Sequence, residues 1–206
     1  MASKGKFIAL EGIDGSGKST QLKVLTARLK AQGHSVYPTF EPTDGPVGSL
    51  IRNIFSGRIE ADHRTIAGLF VADRLDHLLN KTNGIIEKLN SGYTVVTDRY
   101  YFSSFAYQGA HMEMDWVIEA NRMSFELLRP DLHVFIDLDP EVSIERLKKD
   151  RRSADMYEKK DTLKKVRQNF FAAFEKMHGE RISVVDGNRS SEAVARGIWE
   201  EVSPLF

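Results

Sequence analysis

Five short apolar runs punctuate the chain: Lys6–Leu10, Ser35–Phe40, Thr94–Thr97, Leu132–Leu138 and Ile182–Val185. Each is rich in Val, Ile or Phe and mostly apolar at successive positions. That is the pattern of strands covered on both sides, as in a parallel sheet. Between the runs, apolar positions fall at helical spacing. Leu22, Leu25 and Leu29 make one such stripe, and Gly33 stands where a helix ends on a left-handed residue. Strands alternating with helices predict right-handed crossovers and an α/β fold with helices on both faces of the sheet. Neither an internal repeat nor a Pro/Ser-rich linker divides the chain, so residues 1–206 are expected to form a single domain.

One segment breaks the pattern. Residues 148–161, Lys-Lys-Asp-Arg-Arg-Ser-Ala-Asp-Met-Tyr-Glu-Lys-Lys-Asp, carry many charges and few apolar anchors. Such a stretch is either a solvated connection between helices or a basic lid over an anionic ligand, and the second reading requires a phosphate site elsewhere.

That site is present. Gly12-Ile13-Asp14-Gly15-Ser16-Gly17-Lys18-Ser19, followed by Thr20, fits G-x-x-x-x-G-K-[ST], directly after a predicted strand and directly before a predicted helix. This context is what separates a phosphate-binding loop from a chance match. Its glycines allow backbone N–H groups to converge on phosphate oxygens, and the following helix adds its positive end. In such a loop Lys18 reaches the β- and γ-phosphates of a nucleotide, and the Ser19 hydroxyl ligates Mg²⁺. A guanine-binding N-K-x-D string is missing. The nearest match, Asn80-Lys81-Thr82-Asn83, lacks the aspartate and falls in a stretch read as helical.

Charge and composition narrow the class further. The 206 residues include 29 basic and 29 acidic side chains. A balanced chain lacks the positive excess that non-specific nucleic-acid or membrane-surface binding requires. The lack of cysteine excludes disulfides, thiolate zinc sites and cysteine nucleophiles. The apolar run after Met1-Ala2-Ser3-Lys4-Gly5-Lys6 is too short for a signal peptide, and no stretch reaches the roughly 18 apolar residues of a membrane span. The expectation is a soluble, cytoplasmic protein acting on small molecules.

Two carboxylates refine this. Asp14 lies inside the phosphate loop, where it would repel phosphate and so is aimed at a hydroxyl or an ammonium. Asp98-Arg99 follows Thr94–Thr97 at the carboxyl end of a strand, where open α/β sheets place ligands. There Asp98 would hold Mg²⁺ and Arg99 would clamp a phosphate through two parallel hydrogen bonds. The alternative is a structural Asp–Arg pair at a strand end.

Taken together, Glu11–Thr20, Glu41-Pro42, Asp73-Arg74, Asp98-Arg99-Tyr100 and the run Ser103-Ser104-Phe105-Ala106-Tyr107-Gln108-Gly109 resemble the thymidylate kinase family over about residues 6–200. The resemblance implies a five-stranded parallel sheet of order 2-3-1-4-5 with a short helical lid, and transfer of the γ-phosphoryl of ATP to dTMP with Mg²⁺. It implies that Asp14 meets the sugar hydroxyl, that Phe70 stacks on the thymine, and that Arg74 and Ser104 bind its edge. By the same resemblance Arg99 holds the acceptor phosphate, Tyr107 disfavours a 2′-hydroxyl, and Phe40, Glu41, Pro42, Ser103 and Gln108 line the pocket. Asn188, in the loop after the last strand, would lie against adenine, and the chain would pair as a homodimer through long helices including residues 62–80.

Bland readings exist for several of these: Phe70 as core, Arg74 paired within Asp73-Arg74-Leu75-Asp76, Tyr107 as an ordinary half-buried tyrosine. The chain also departs from part of the family at Gly15, where some members carry an arginine that stabilises the transferring phosphoryl. The resemblance then assigns that task to a lid arginine, Arg151 or Arg152. A second departure is Phe40, where many bacterial members have arginine.

Overall fold

The computed structural model describes residues 5–149 and 160–206. Strand β1 (Phe7–Glu11) leads through the glycine-rich loop into helix α1 (Lys18–Ala31). This helix closes on Gly33, whose N–H and that of His34 bond back to the carbonyls of Lys30 and Leu29. Gly33 holds φ +89°, as the sequence predicts for a glycine past a helix end. Then follow β2 (Val36–Phe40), α2 (Pro46–Phe55), α3 (His63–Leu79) and α4 (Ile85–Asn90). Proline stands at the first turn of α2, where its missing N–H costs nothing, and the Asp62 carboxylate caps α3 by accepting the Arg64 N–H at 2.9 Å. Asn80–Asn83 form the turn between α3 and α4 rather than a helical stretch.

Strand β3 (Thr94–Asp98) is followed by α5 (Tyr101–Gln108), α6 (Met114–Ala120) and α7 (Arg122–Leu127). The chain continues through β4 (Leu132–Asp137), α8 (Pro140–Lys149), α9 (Lys160–Lys176), β5 (Ile182–Asp186) and α10 (Ser191–Val202). All strand pairings are parallel and the order is β2-β3-β1-β4-β5, as expected. β1 therefore lies at the centre, with Leu10 opposite Asp98 and Glu11 opposite Phe135. This register aligns the carboxyl ends of β1, β3 and β4 along one edge, the ligand-bearing edge of such sheets.

Alternation along the central strands divides the core. Phe7, Ala9, Val95 and Phe135 face one side, beneath α5 and α9; Ile8, Leu10, Val96, Val134 and Ile136 face the other, beneath α1 and α10. β1, β3 and β4 are buried on both faces, but β2 and β5 are not: Pro38, Phe40, Val184 and Asp186 are exposed. Full coverage was expected of all five strands and fails at the two edges. Pro38 is the local sign, because a residue that cannot donate to the ladder belongs on an edge strand.

A third apolar cluster, Ile51, Ile54, Ile66 and Phe70, joins α2 to α3 beside the sheet. Helix α5 is buried along its whole length. Its Tyr101, Phe102 and Phe105 enter the core, while Ser103, Ser104, Tyr107 and Gln108 line a cavity on the other side.

Candidate active site

The phosphate loop takes its shape from backbone geometry. Gly12 lies at φ +150°, and a Cβ there would approach Ser16 Oγ to 2.7 Å and the Ile136 carbonyl oxygen to 2.8 Å. Gly17 initiates α1 from the left-handed region at φ 94°, and no side chain caps the helix. The positive end of α1 is thus left to the loop, in the geometry that receives anions. Lys18 Nζ donates to the carbonyls of Gly12 and Ile13 at 3.0 and 2.9 Å, which stretches the ammonium along the loop. Burial lowers its pKa to about 8. Ile13 contributes its backbone alone, because its side chain is buried in the core. Thr20 is exposed on the first turn of α1.

Ser19 Oγ donates to Asp98 Oδ2 at 2.7 Å, and Asp98 Oδ1 is buried with no hydrogen-bond partner. A hydroxyl and an unsatisfied carboxylate oxygen beside a phosphate loop are hard donors suited to Mg²⁺, which takes one or two protein oxygens and otherwise water and phosphate.

On the other side of Asp14 lies a cavity of about 450 Å³. Its walls include Asp14, Phe40, Glu41, Pro42, Phe70, Arg74, Arg99, Ser103, Ser104, Tyr107 and Gln108, every residue expected to meet the acceptor. Arg99 pairs with Asp14, donates to Ser103 Oγ at 3.2 Å, and packs over the Tyr107 ring 4.8 Å from its centroid. The Tyr107 hydroxyl donates to Asp14 Oδ2 and accepts the Asp14 N–H, both at 2.9 Å. Burial alone would raise the Asp14 carboxyl, but Arg99, Lys18 and the Tyr107 hydroxyl hold it below the usual range. Glu11, at the end of β1, is buried and accepts from Tyr100 N–H and Ser103 Oγ at 3.0 and 2.5 Å. Desolvation raises its pKa to about 7.

The far wall is a buried ion-pair network. Arg74 Nε and Nη2 donate to Glu41 Oε2 at 2.9 and 2.6 Å, Nη1 donates to Ser104 Oγ at 3.0 Å and to Asn121 Oδ1, and Nη2 donates to the Tyr100 carbonyl at 3.3 Å. All five N–H donors of Arg74 thus have protein acceptors. His77 Nδ1 lies 3.1 Å from Glu41 Oε1, and its Nε2 lies 2.7 Å from Thr39 Oγ1. Burial would raise Glu41, but Arg74 and His77 outweigh it and hold the carboxyl low.

Arg74 is not paired along its own helix. Asp73 points elsewhere, accepting the Thr43 N–H and hydroxyl at 2.8 and 2.6 Å and so fixing the loop after Glu41-Pro42. Phe70 serves both readings, since it packs against Phe55 at 5.9 Å between ring centroids and also lines the cavity.

Sequence reasoning missed several neighbours. Arg52 and Phe55 of α2 and Ser56 just after it enter the cavity wall, and Arg52 Nη1 donates to the Pro42 and Thr43 carbonyls. His77 carried a usable signal, because Phe70, Arg74 and His77 are spaced four and three apart and so share one helical face. Asn121 carried none.

α8 lies against the phosphate loop. Ser143 Oγ donates to the Asp14 carbonyl at 2.6 Å, and Arg146 donates to the carbonyls of Gly15 and Gly187 at 3.3 and 3.0 Å. Asn188 Oδ1 accepts the Asp139 N–H at 3.2 Å, which ties the loop after β5 to the end of β4. Of the expected lid, residues 148, 149, 160 and 161 belong to α8 and α9, whereas Arg151 and Arg152 lie outside the described residues.

Comparison with known proteins gives a concordant result. The family model described as thymidylate kinase matches residues 10–198. A probable thymidylate kinase of Methanocaldococcus jannaschii is 39% identical over 186 residues, covering 90% of this chain and 88% of that protein. A probable thymidylate kinase of Thermococcus gammatolerans is 36% identical, covering 94% of each. A thymidylate kinase of Shouchella clausii is 35% identical over 98% of this chain and 97% of that protein.

Proposed function

The chain belongs to the thymidylate kinase family, and we propose that it is an ATP:dTMP phosphotransferase whose cavity beside Asp14 is the dTMP pocket. One observation carries the assignment of the pocket: the phosphate loop and a cavity lined by Arg74, Arg99, Asp14 and Tyr107 meet at the carboxyl edge of one sheet.

The division of labour follows from the chemistry. Loop N–H groups and Lys18 hold the donor phosphates, and Arg99 holds the phosphate of dTMP. An incoming phosphate competes with Asp14 for the Arg99 guanidinium, which leaves the Asp14 carboxylate able to accept a sugar hydroxyl. Phe70 offers its ring to the base. A ring carbonyl reaching Arg74 exchanges with Ser104 Oγ, an acceptor of that guanidinium whose hydroxyl can rotate and which also faces the cavity. Tyr107, fixed by two bonds to Asp14, fills the space beside the sugar.

The acceptor oxygen is already anionic, so transfer needs orientation and charge stabilisation rather than a strong base. Ser19 and Asp98 are the groups that would hold Mg²⁺, which neutralises charge on the donor phosphates when bound. Arg151 and Arg152 are the proposed source of the transition-state cation that Gly15 does not supply. Supporting this, Ser143 and Arg146 on α8 donate to the Asp14 and Gly15 carbonyls of the phosphate loop.

The reading extends to a single cytoplasmic kinase domain that pairs as a homodimer. Exposed Leu79, Trp116, Met123 and Leu127 support an apolar pairing surface, and no helix among the described residues is long and apolar enough to cross a membrane.

The test is ADP release from Mg·ATP with and without dTMP, dUMP, dCMP, dGMP and dAMP. Strong stimulation by dTMP, weaker by dUMP and little by the others is expected. Equal or better stimulation by another acceptor would overturn the roles given to Arg74, Ser104 and Tyr107. ATP binding without turnover on any acceptor would make the chain a binding module.

A further inference from the structure

Arg99 is the one non-glycine residue with positive φ among the described residues, at 75°. A side chain with a Cβ holds that conformation only where its surroundings over-determine it. Three bonds do so here. The Arg99 N–H donates to the Leu10 carbonyl at 2.9 Å, Thr97 Oγ1 donates to the Arg99 carbonyl at 3.0 Å, and the next amide, Tyr100 N–H, donates to Glu11 Oε1 at 3.0 Å.

The other carboxylate oxygen of Glu11 acts on the side chain. Ser103 Oγ donates to Glu11 Oε2 at 2.5 Å, so its hydroxyl hydrogen is committed and its lone pairs are left to accept from Arg99 Nη1 at 3.2 Å. Glu11 does not itself line the cavity, and it is fully buried, where a carboxylate is costly without strong partners. These two bonds, from Tyr100 N–H and Ser103 Oγ, lead to the residues that set the backbone and the guanidinium of Arg99.

We propose that Glu11 is a positioning residue for the acceptor phosphate, holding Arg99 in its left-handed conformation through Tyr100 N–H and aiming its guanidinium through Ser103. The inference rests on the proposed role of Arg99 as the phosphate clamp. It distinguishes Glu11 from a carboxylate that merely fills the core, because a positioning role affects the phosphate of the acceptor and not its nucleoside part.

The experiment compares affinities of the whole protein for dTMP and for thymidine, by calorimetry, in wild type and in Glu11→Ala, Glu11→Gln, Ser103→Ala and Arg99→Ala. Wild type should bind dTMP more tightly than thymidine, and Arg99→Ala should remove most of that preference. Glu11→Ala should weaken dTMP by about tenfold or more, the scale of misplacing one charge-assisted contact, while thymidine changes less than about twofold. Glu11→Gln keeps a carbonyl for Tyr100 N–H and should recover much of the preference. Ser103→Ala, which leaves Glu11 in place, should lose part of it and gives the same readout should Glu11→Ala not fold. Equal losses for dTMP and thymidine in Glu11→Ala and Ser103→Ala, or an unchanged ratio, would overturn the proposal while leaving the clamp intact. An unchanged ratio in Arg99→Ala would overturn the clamp itself, and the proposal with it.

Discussion

Removing Glu41 isolates the physics of the far wall. Glu41 and Arg74 side chains are each 1% exposed, so Glu41→Ala leaves a guanidinium buried without its counter-charge. Two hydrogen bonds from Arg74 and one contact with His77 vanish together. Breaking a buried pair from one side costs about 3–5 kcal/mol, because the surviving charge keeps its desolvation penalty. For a chain of this length that corresponds to a fall in Tm of roughly 6–20 °C. Removing both charges, in Glu41→Ala/Arg74→Met, abolishes the orphaned charge. The His77 contact is lost in both variants, and what the second substitution adds is Asn121 Oδ1 and the cavity-facing Ser104 hydroxyl without Arg74, a loss of about 1–3 kcal/mol for the buried Asn121. The double variant should therefore be more stable than Glu41→Ala alone. Urea unfolding followed by far-UV circular dichroism, without ligands, measures all four corners of the cycle. A Glu41→Ala cost below about 1 kcal/mol, or single effects that add to within about 0.5 kcal/mol, would refute the reasoning.

Other outcomes follow from the same geometry. Lys18→Ala should abolish dTMP-dependent ADP release while leaving the circular dichroism spectrum and unfolding midpoint close to wild type; unchanged turnover would remove the loop from the reaction. The double variant Arg151→Ala/Arg152→Ala should lower kcat by about 10²-fold or more, the scale of losing one stabilising donor, and a near-wild-type rate would exclude that segment from catalysis. Glu11, raised from 4.5 to about 7, retains in the folded state a proton that the unfolded chain has released, so its contribution to stability falls as pH rises across that window. Glu11→Gln cannot titrate, and its stability relative to wild type should climb between pH 4.5 and 7; a flat difference in urea midpoints would show that Glu11 ionises normally.

What could be read along the chain was what is contiguous in it. The phosphate loop is one unbroken string, and its function depends on backbone conformations that glycines encode locally. The central strands were legible because burial on both faces leaves apolar runs. The exposure of β2 and β5 was not, since position within a sheet is set by pairing with distant partners and only Pro38 hinted at an edge. The far wall is the clearest loss. Glu41, Tyr100, Ser104 and Asn121 meet at Arg74 from the loop after β2, the start of α5, α5 itself and the junction of α6 with α7, and no spacing along the chain records that convergence. Only His77, which meets Glu41, shares a readable helical face with Arg74. Arg52 escaped notice because a cation on the polar side of an amphipathic helix looks like solvated surface. The resemblance to a family supplied the sheet order and the pairing of Phe70 with Arg74, which periodicity alone left open.

The burial of α5 bears on how the protein could change its diet. Four residues of that helix face the cavity while three aromatic neighbours on the same eight-residue segment are embedded in the core. A substitution that reshapes Ser104 or Tyr107 therefore disturbs the packing that keeps the molecule folded, and most such steps are closed to gradual variation. α2 stands differently, since it packs chiefly on α3 and, with Ser56 at its end, lends Arg52 and Phe55 to the same cavity from outside the sheet. New acceptor preferences, whether selected in nature or in the laboratory, should accumulate along α2 first, with α5 as the inherited part of the pocket.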